Sequence, residues 1–287
     1  MDKALNLIRH RKGWQVLFLI FPSAFWLIVF FLIPLFIVLI YSFAQRGTYG
    51  TIKWIWNIQN YVRFFDPLYL RIFLRSTYIA LATTLICFLV GYPLAYFIAQ
   101  RSEKWRNTLL LLLMVPFWTN FLVRTYAWIL ILRNEGIINQ VLQGLDLTSS
   151  PLPLLYNDGA IIVGLVYGWL PDMVLPCYAA IERLDVSLVE AAYDLYANRT
   201  QAFLRVILPL TAPGIIAGSI LVFIPSLGAY VTPDLLGGAK SVMIGNLIQQ
   251  QFLSVRDWPF GSAISFVLMA IMLAGTLLYF RAGGRTT

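Results

Sequence analysis

Six long apolar runs, near 14–42, 72–99, 108–132, 160–180, 206–228 and 260–280, alternate along the chain with short charged segments. A bilayer core of about 30 Å needs roughly 20 mostly apolar residues to cross it as a helix. Each run therefore predicts a membrane-spanning helix, and the chain an all-α polytopic membrane protein with six transmembrane helices. Proline and glycine occur inside several runs, which membrane helices tolerate where neighbouring helices re-satisfy the freed backbone. The first run, Trp14 to Tyr41, is too long for a signal peptide. Phe43-Ala44-Gln45-Arg46 is also a poor cleavage site, so this run is expected to be a retained helix.

The polar segments set an orientation. Lys3, Arg9, Arg11 and Lys12 precede the first run, and Arg101, Lys104 and Arg106 fill the second-to-third loop. Arg183, Arg199 and Arg205 lie between the fourth and fifth runs, and Arg281 and Arg285 follow the sixth. The opposite loops carry mixed charge: Arg46, Lys53, Arg63 and Asp66; Glu135, Asp146 and Asp158; Asp234, Lys240, Arg256 and Asp257. The positive-inside rule then predicts a multi-pass protein of a plasma membrane with both termini cytoplasmic. Trp54, Trp56, Tyr61, Phe64, Phe65, Tyr69, Trp258 and Phe260 crowd the outer ends. They suit an interfacial belt or a short amphipathic segment on the bilayer, or contact with an outside partner.

Composition narrows the function. The chain is 60% hydrophobic and 12% charged, against roughly 45–50% and 25% for soluble domains. The net charge of +8 comes from loop residues rather than one basic run, which argues against nucleic-acid binding. Cys87 and Cys177 both fall in apolar runs and read as packing residues. His10 is the only histidine, so histidine catalysis and a histidine-rich metal site are excluded. Ser219 and Ser226 lack a base to activate them, which disfavours an intramembrane hydrolase. No G-x-x-x-x-G-K-[ST] loop is present, so the chain is not expected to bind ATP itself.

The segment from Leu184 to Arg205 is a polar island with helical patterning. Asp185 or Ser187 can cap a first short helix, with Glu190 near its N-terminal turn. Ala191, Ala192, Leu195 and Tyr196 make a small-and-apolar stripe. Asn198 can take the left-handed conformation or cap a second helix starting near Thr200.

This island resembles the signature loop of bacterial ABC-importer permeases, EAA-x3-G-x9-I-x-L-P. Glu190, Ala191, Ala192, Leu208 and Pro209 match it, Val206 replaces the isoleucine, and Tyr196 stands at the glycine. The resemblance implies coupling helices that dock on an ATP-hydrolysing subunit through Glu190, Ala191, Ala192, Asp194, Leu195, Tyr196 and Pro209. Tyrosine does not take positive φ cheaply, so Asn198 is expected to have taken over the turn.

Val115-Pro116-Phe117-Trp118-Thr119-Asn120 with Arg124-Thr125-Tyr126 is similar to the third span of permeases from spermidine/putrescine importers. Pro233 to Lys240, Ile244-Gly245-Asn246 and Arg256 to Gly261 are similar to outer segments of the same group. The resemblance implies a type I importer permease (MetI-like fold), B-type within that group. Its implied partners are a C-type permease, two ATPase subunits and an external polyamine-binding protein, with ATP and magnesium confined to the ATPase. It also implies an N-terminal tail, first helix and outer segment over 1–71. A permease core then occupies 72–281, with its coupling loop at 184–209, and a tail follows at 282–287. Ferric ion, sulfate, thiamine or an opine remain alternative ligands within the class, and a self-sufficient channel or carrier remains outside it.

A polyamine needs carboxylates for its ammoniums and aromatic faces for its charge and chain. Asp172, between Pro171 and Pro176 in the fourth run, is the sharpest candidate, since charge inside a span is costly. It lines a path, pairs with Arg124, or lies at the interface. Trp118, Thr119 and Asn120 form a polar break that lines a cavity or packs in protein. Tyr230 and Asp234 suit an outer gate and vestibule. Arg124 suits a structural or subunit-interface role, and Asp66, Asp158 and Asp257 suit ion pairs or hydration outside.

Overall fold

The computed structural model describes residues 20–238 and 241–283. Lys3, Arg9, His10, Arg11, Lys12, Lys240, Arg285 and the start of the first run lie outside the described residues, as does the tail from 284. Four helices are long and apolar enough to cross a membrane, or six when each of two bent pairs counts as one span. The chain divides into two compact units, one within 20–64 and 251–270, the other within 65–250 and 271–283.

In the first unit, α1 (Ile20–Ser42) is almost wholly exposed on its apolar surface. A π turn at Ile28–Leu32 interrupts it just before Pro34. Proline lacks an N–H and its ring crowds the carbonyl four residues back, so a wider turn relieves the clash. A two-stranded antiparallel hairpin follows, β1 (Gln45–Arg46) on β2 (Ile52–Lys53). The sequence gives no sign of this hairpin, because the strands are too short to leave a two-residue periodicity. Helix α2 (Gln59–Phe64) closes the segment: Asn60 donates to the Ser42 and Ala44 carbonyls, and the Tyr61 and Ser42 hydroxyls lie 2.6 Å apart. Asp257, only 2% exposed, accepts from Arg63 at 2.9 Å and from the Phe260 N–H at 3.2 Å. Arg63 also lies 4.0 Å from the centre of the Phe260 ring.

The second unit begins with α3 (Pro67–Ala99). Its Asp66 N-cap accepts from the Leu68 N–H, and Pro67 sits in the first turn, where a missing N–H costs nothing. The helix therefore starts five residues before the apolar run does. Next come α4 (Glu103–Met114), α5 (Phe121–Leu132) and α6 (Ile137–Gly144). The third run is thus not one helix over 108–132. Segments Glu103–Trp118 and Phe121–Gly144 meet at 88°. The polar residues at the break explain it: the Thr119 hydroxyl donates to the Pro116 carbonyl, and Asn120 caps α5 by accepting from Leu122.

The buried centre is a three-helix packing of α3 with α7 (Asp158–Glu182) and α10 (Ala212–Leu227). Cys87, Tyr92, Ala95 and Ile98 meet Met173, Val174, Cys177, Tyr178 and Ile181, and Val222 closes the cluster. Both cysteines are free and buried there, as packing residues. Gly214 and Gly218, one turn apart, bring α10 against the α7 backbone. A Cβ on Gly214 would lie 2.5 Å from the Pro176 carbonyl oxygen, and one on Gly218 would lie 3.1 Å from that of Met173. Apolar burial drives no helix association in lipid, so close approach at small residues supplies the contact.

At the Asp158 end of α7, Arg75 from α3 forms a two-pronged ion pair with Asp158 and donates to the Ser241 hydroxyl at 3.0 Å. Asp158 and Asp257 thus form the expected ion pairs, whereas Asp66 serves as a helix cap instead. Helices α8 (Val186–Asp194) and α9 (Arg199–Leu210) form the 184–209 loop. Then α11 (Val231–Leu236), α12 (Ile244–Leu253) and α13 (Trp258–Gly283) complete the described chain.

Candidate functional site

The 184–209 loop folds as two short helices joined by a tight turn. Asp185 caps α8 by accepting from the Ser187 N–H at 3.0 Å. That bond, with a second from the Ser187 hydroxyl, holds the Asp185 carboxyl below its ordinary range. Glu190 is the fifth residue of α8, not in its first turn, so the helix dipole does not explain its charge. It is exposed and makes no ion pair among the described residues.

The turn departs from the sequence expectation. The Tyr196 N–H donates to the Tyr193 carbonyl, and the Ala197 N–H to that of Ala192. Those paired bonds are the Schellman close of a helix, which puts its first residue past the cap in the left-handed region. Tyr196 takes that place itself, with φ +58°. Asn198 stays extended and closes a capping box with Gln201 at the start of α9. The motif position keeps its geometry while losing its glycine. Leu195 and Tyr196 are not part of a buried stripe: they lie beyond α8, 82% and 97% exposed. Ala191 and Asp194 are exposed too, Ala192 is half-buried, and Pro209 is exposed at the far end of α9.

Left-handed backbone costs an L-residue roughly 1–2 kcal/mol. Tyr196→Gly is expected to slow hydrogen exchange of the Ala197 amide in the purified protein, about fivefold for 1 kcal/mol recovered. Tyr196→Ala keeps the Cβ and is expected to leave exchange unchanged.

Sequence reasoning missed how this loop is anchored. Phe203 packs edge-on against Tyr92 and Tyr96 of α3, at 6.0 and 5.8 Å. The Tyr92 hydroxyl lies 2.8 Å from the buried Thr211 hydroxyl, at the joint between α9 and α10. That joint bends by 63°. Pro209 and Pro213 flank it, and a π turn at Phe203–Ile207 again precedes proline. Arg106 of α4 pairs with Glu182 at the end of α7, 3.0 Å apart. A cleft of about 640 Å³ lies between the end of α3 and the loop, lined by Tyr96, Gln100, Tyr193, Arg199, Thr200, Phe203 and Ile207.

The path candidates occupy separate places. Asp172 sits half-buried on α7 with no ion pair among the described residues. Gly168, one turn earlier on the same face, borders open space: a Cβ there would meet nothing within 4 Å. Asp172 does not pair with Arg124, whose guanidinium lies instead 4.8 Å from the centre of the Phe117 ring. Trp118 is 73% exposed, and Thr119 and Asn120 are exposed at the break. Tyr230 is exposed before α11, and its carbonyl accepts from Asn246 Nδ2 and the Asp234 N–H. No hydrogen bond or ring contact joins Asp172, the break and Tyr230 among the described residues.

Long apolar helices, two bent pairs and an exposed two-helix loop suit the class of membrane permease subunits. A chain of a bacterial ABC transporter involved in the import of the acidic polysaccharide alginate is similar over 98% of this chain and 99% of that one, with TM-score 0.75 and 17% identity. A chain of the MetNI methionine ABC transporter is similar over 75% and 93%, with TM-score 0.51 and 17% identity. At such identities the likeness is one of fold.

Residues 91–284 match the model of the binding-protein-dependent transport system inner membrane component family, and the chain belongs to that family. It is 45% identical to the spermidine/putrescine transport system permease protein PotB of Escherichia coli K12, over 90% of this chain and 94% of that protein. Identity to the protein of the same name in Haemophilus influenzae is 46%, over 90% of each. The inner membrane ABC transporter permease protein YdcU of Escherichia coli is 34% identical over 78% of this chain.

Proposed function

We propose that this chain is the membrane-crossing permease subunit of an ATP-driven importer that carries spermidine and putrescine inward, after an external binding protein delivers them. The observation that supports the polyamine cargo is the near-full-length similarity, at 45% identity, to spermidine/putrescine permease proteins. Fold alone supports only the permease class, since the alginate and methionine systems share it.

The division of labour follows from the exposed loop. Leu195, Tyr196, Val186 and Leu188 present exposed apolar surface. Such a surface suits the groove of an ATPase, with Glu190 supplying a charge at the contact. ATP and magnesium belong to that ATPase, present in two copies, and a related C-type permease completes the membrane pair. Both termini and the 184–209 loop face the cytoplasm in this arrangement, because the short loops rich in lysine and arginine lie there.

Asp172 is the cation-handling group of the path in this proposal. Its carboxylate makes no ion pair among the described residues, and Gly168, one turn away, borders open space. Trp118 and Tyr230 offer faces to ammonium and methylene groups, with Thr119, Asn120 and Asp234 as hydrogen-bonding neighbours. Asp172→Asn keeps the shape and removes the charge. A charged hydrogen bond is worth about 1.5–3 kcal/mol, so uptake of labelled spermidine is expected to fall about ten- to hundredfold. The check is transport in cells lacking their own importer and carrying this chain with its genomic neighbours. Unchanged uptake by the Asp172→Asn complex would remove this residue from the path. No polyamine uptake by an assembled wild-type complex would overturn the cargo.

A further inference from the structure

We propose that Arg124 is the membrane-buried docking point for a carboxylate of the second permease subunit. Two of its guanidinium nitrogens, Nε and Nη1, are buried without a hydrogen-bond partner among the described residues. Nη2 alone is not enclosed. Three rings stand around the group: the centres of Phe117, Phe121 and Tyr167 lie 4.8, 6.0 and 6.0 Å from the guanidinium carbon. Phe117 and Tyr167 are themselves stacked, 5.6 Å apart, which fixes one wall of the cage. The inference rests on the importer assignment only in requiring a second permease chain.

Ring faces do not replace what the guanidinium gave up in water. A cation within a span almost always faces protein or a water-filled cavity and pairs there. Arg124 has no such pair among the described residues, although Asp172 lies on the neighbouring α7. The guanidinium is a flat fork of five N–H donors, and its open Nη2 edge suits a carboxylate.

Depth separates the possible anions. Tyr167 is nine residues from the Asp158 end of α7 and fifteen from the Glu182 end. At 1.5 Å per residue, those separations are about 13 and 22 Å. A lipid phosphate, held at the headgroup level, lies at one end or the other and not beside this ring. The proposed cargo is itself cationic and is repelled. Trp118, Leu122, Val123 and Tyr126, near Arg124 along the chain, carry exposed apolar surface. Bare lipid against that surface would leave Nη2 in hydrocarbon, whereas a neighbouring helix covers the rings and brings an acid to the open edge.

The test uses the complex co-expressed with its genomic neighbours and purified through a tag on this chain. Arg124→Met is expected to lower recovery of the second permease about tenfold or more, since it strands a buried carboxylate on the partner. The ATPase, held at the distant loop, is expected to remain. Arg124→Lys keeps the charge without the fork and is expected to restore part of the loss. Undiminished recovery with Arg124→Met overturns the proposal. A photo-crosslinking residue replacing Val123 leaves Arg124 intact and guards against simple misfolding of the methionine variant. Adducts on an Asp- or Glu-bearing span of the second permease support the assignment; adducts only on lipid, or on another copy of this chain, overturn it. A wild-type chain that captures the ATPase but no second permease refutes the importer assembly itself.

Discussion

Glu190→Arg is expected to abolish ATP-dependent polyamine uptake while leaving the chain folded. Glu190 is exposed, makes no ion pair among the described residues, and lies past the first turn of α8, where no cap or dipole depends on it. Exposed substitutions of that kind change stability by about 0.5 kcal/mol or less. Reversing a charge at a docking surface is different, because like charges brought together cost several kcal/mol. The experiment compares labelled spermidine uptake with copurification of the ATPase. Loss of both, with normal amounts of the variant in the membrane, locates the defect at the contact. Normal uptake by Glu190→Arg, or uptake by this chain without ATP, would falsify the coupling role.

Gly214→Val is expected to do the reverse, removing the folded chain before any question of transport arises. A Cβ at that position lies against the Pro176 carbonyl oxygen and the Ala180 methyl, and backbone cannot move aside as a side-chain tip can. Overpacking typically costs about 1–3 kcal/mol, and the rigid neighbour puts this site at the upper end. Valine also replaces the small residue on which close approach of α10 to α7 depends. Thermal unfolding of the purified complex and the amount of chain in the membrane report it. Gly168→Ala is the contrast, since its Cβ meets nothing; stability is expected to hold or rise by up to about 1 kcal/mol. A Gly214→Val complex as stable as wild type would show that α10 does not need the contact.

Local chemistry made much of this legible. Asp185 and Asn198 cap the helices that their spacing promised, and Pro116 with Thr119 and Asn120 breaks the third span. The 88° angle at that break was not legible, because a run of apolar residues records only that a segment is buried or in lipid, not its direction. Tyr196 misled for a related reason. Residue preference argues against positive φ, yet two hydrogen bonds of the Schellman close hold the geometry against it. Residue types put Asp172 and Arg124 in neighbouring spans as natural partners; only coordinates separate them. Phe203, Tyr92 and Thr211 carried no signal, since an aromatic or a threonine in an apolar run looks like any other.

The joint at Thr211 has a mechanical meaning. Pro209 and Pro213 withhold two backbone donors around it, so this is where bending the chain disturbs fewest hydrogen bonds. The arm from Arg199 to Leu210 is twelve residues, or about 18 Å at 1.5 Å per residue. Turning that arm by about ten degrees carries its tip about 3 Å, from the same rise per residue. Thr211 and its contact with Tyr92 stay at the fulcrum, while Phe203, eight residues or about 12 Å out, travels about two-thirds as far as the tip. A push on the loop would therefore reach α3 through Phe203 with little loss of stroke, and leave the Thr211 end of α10 almost still.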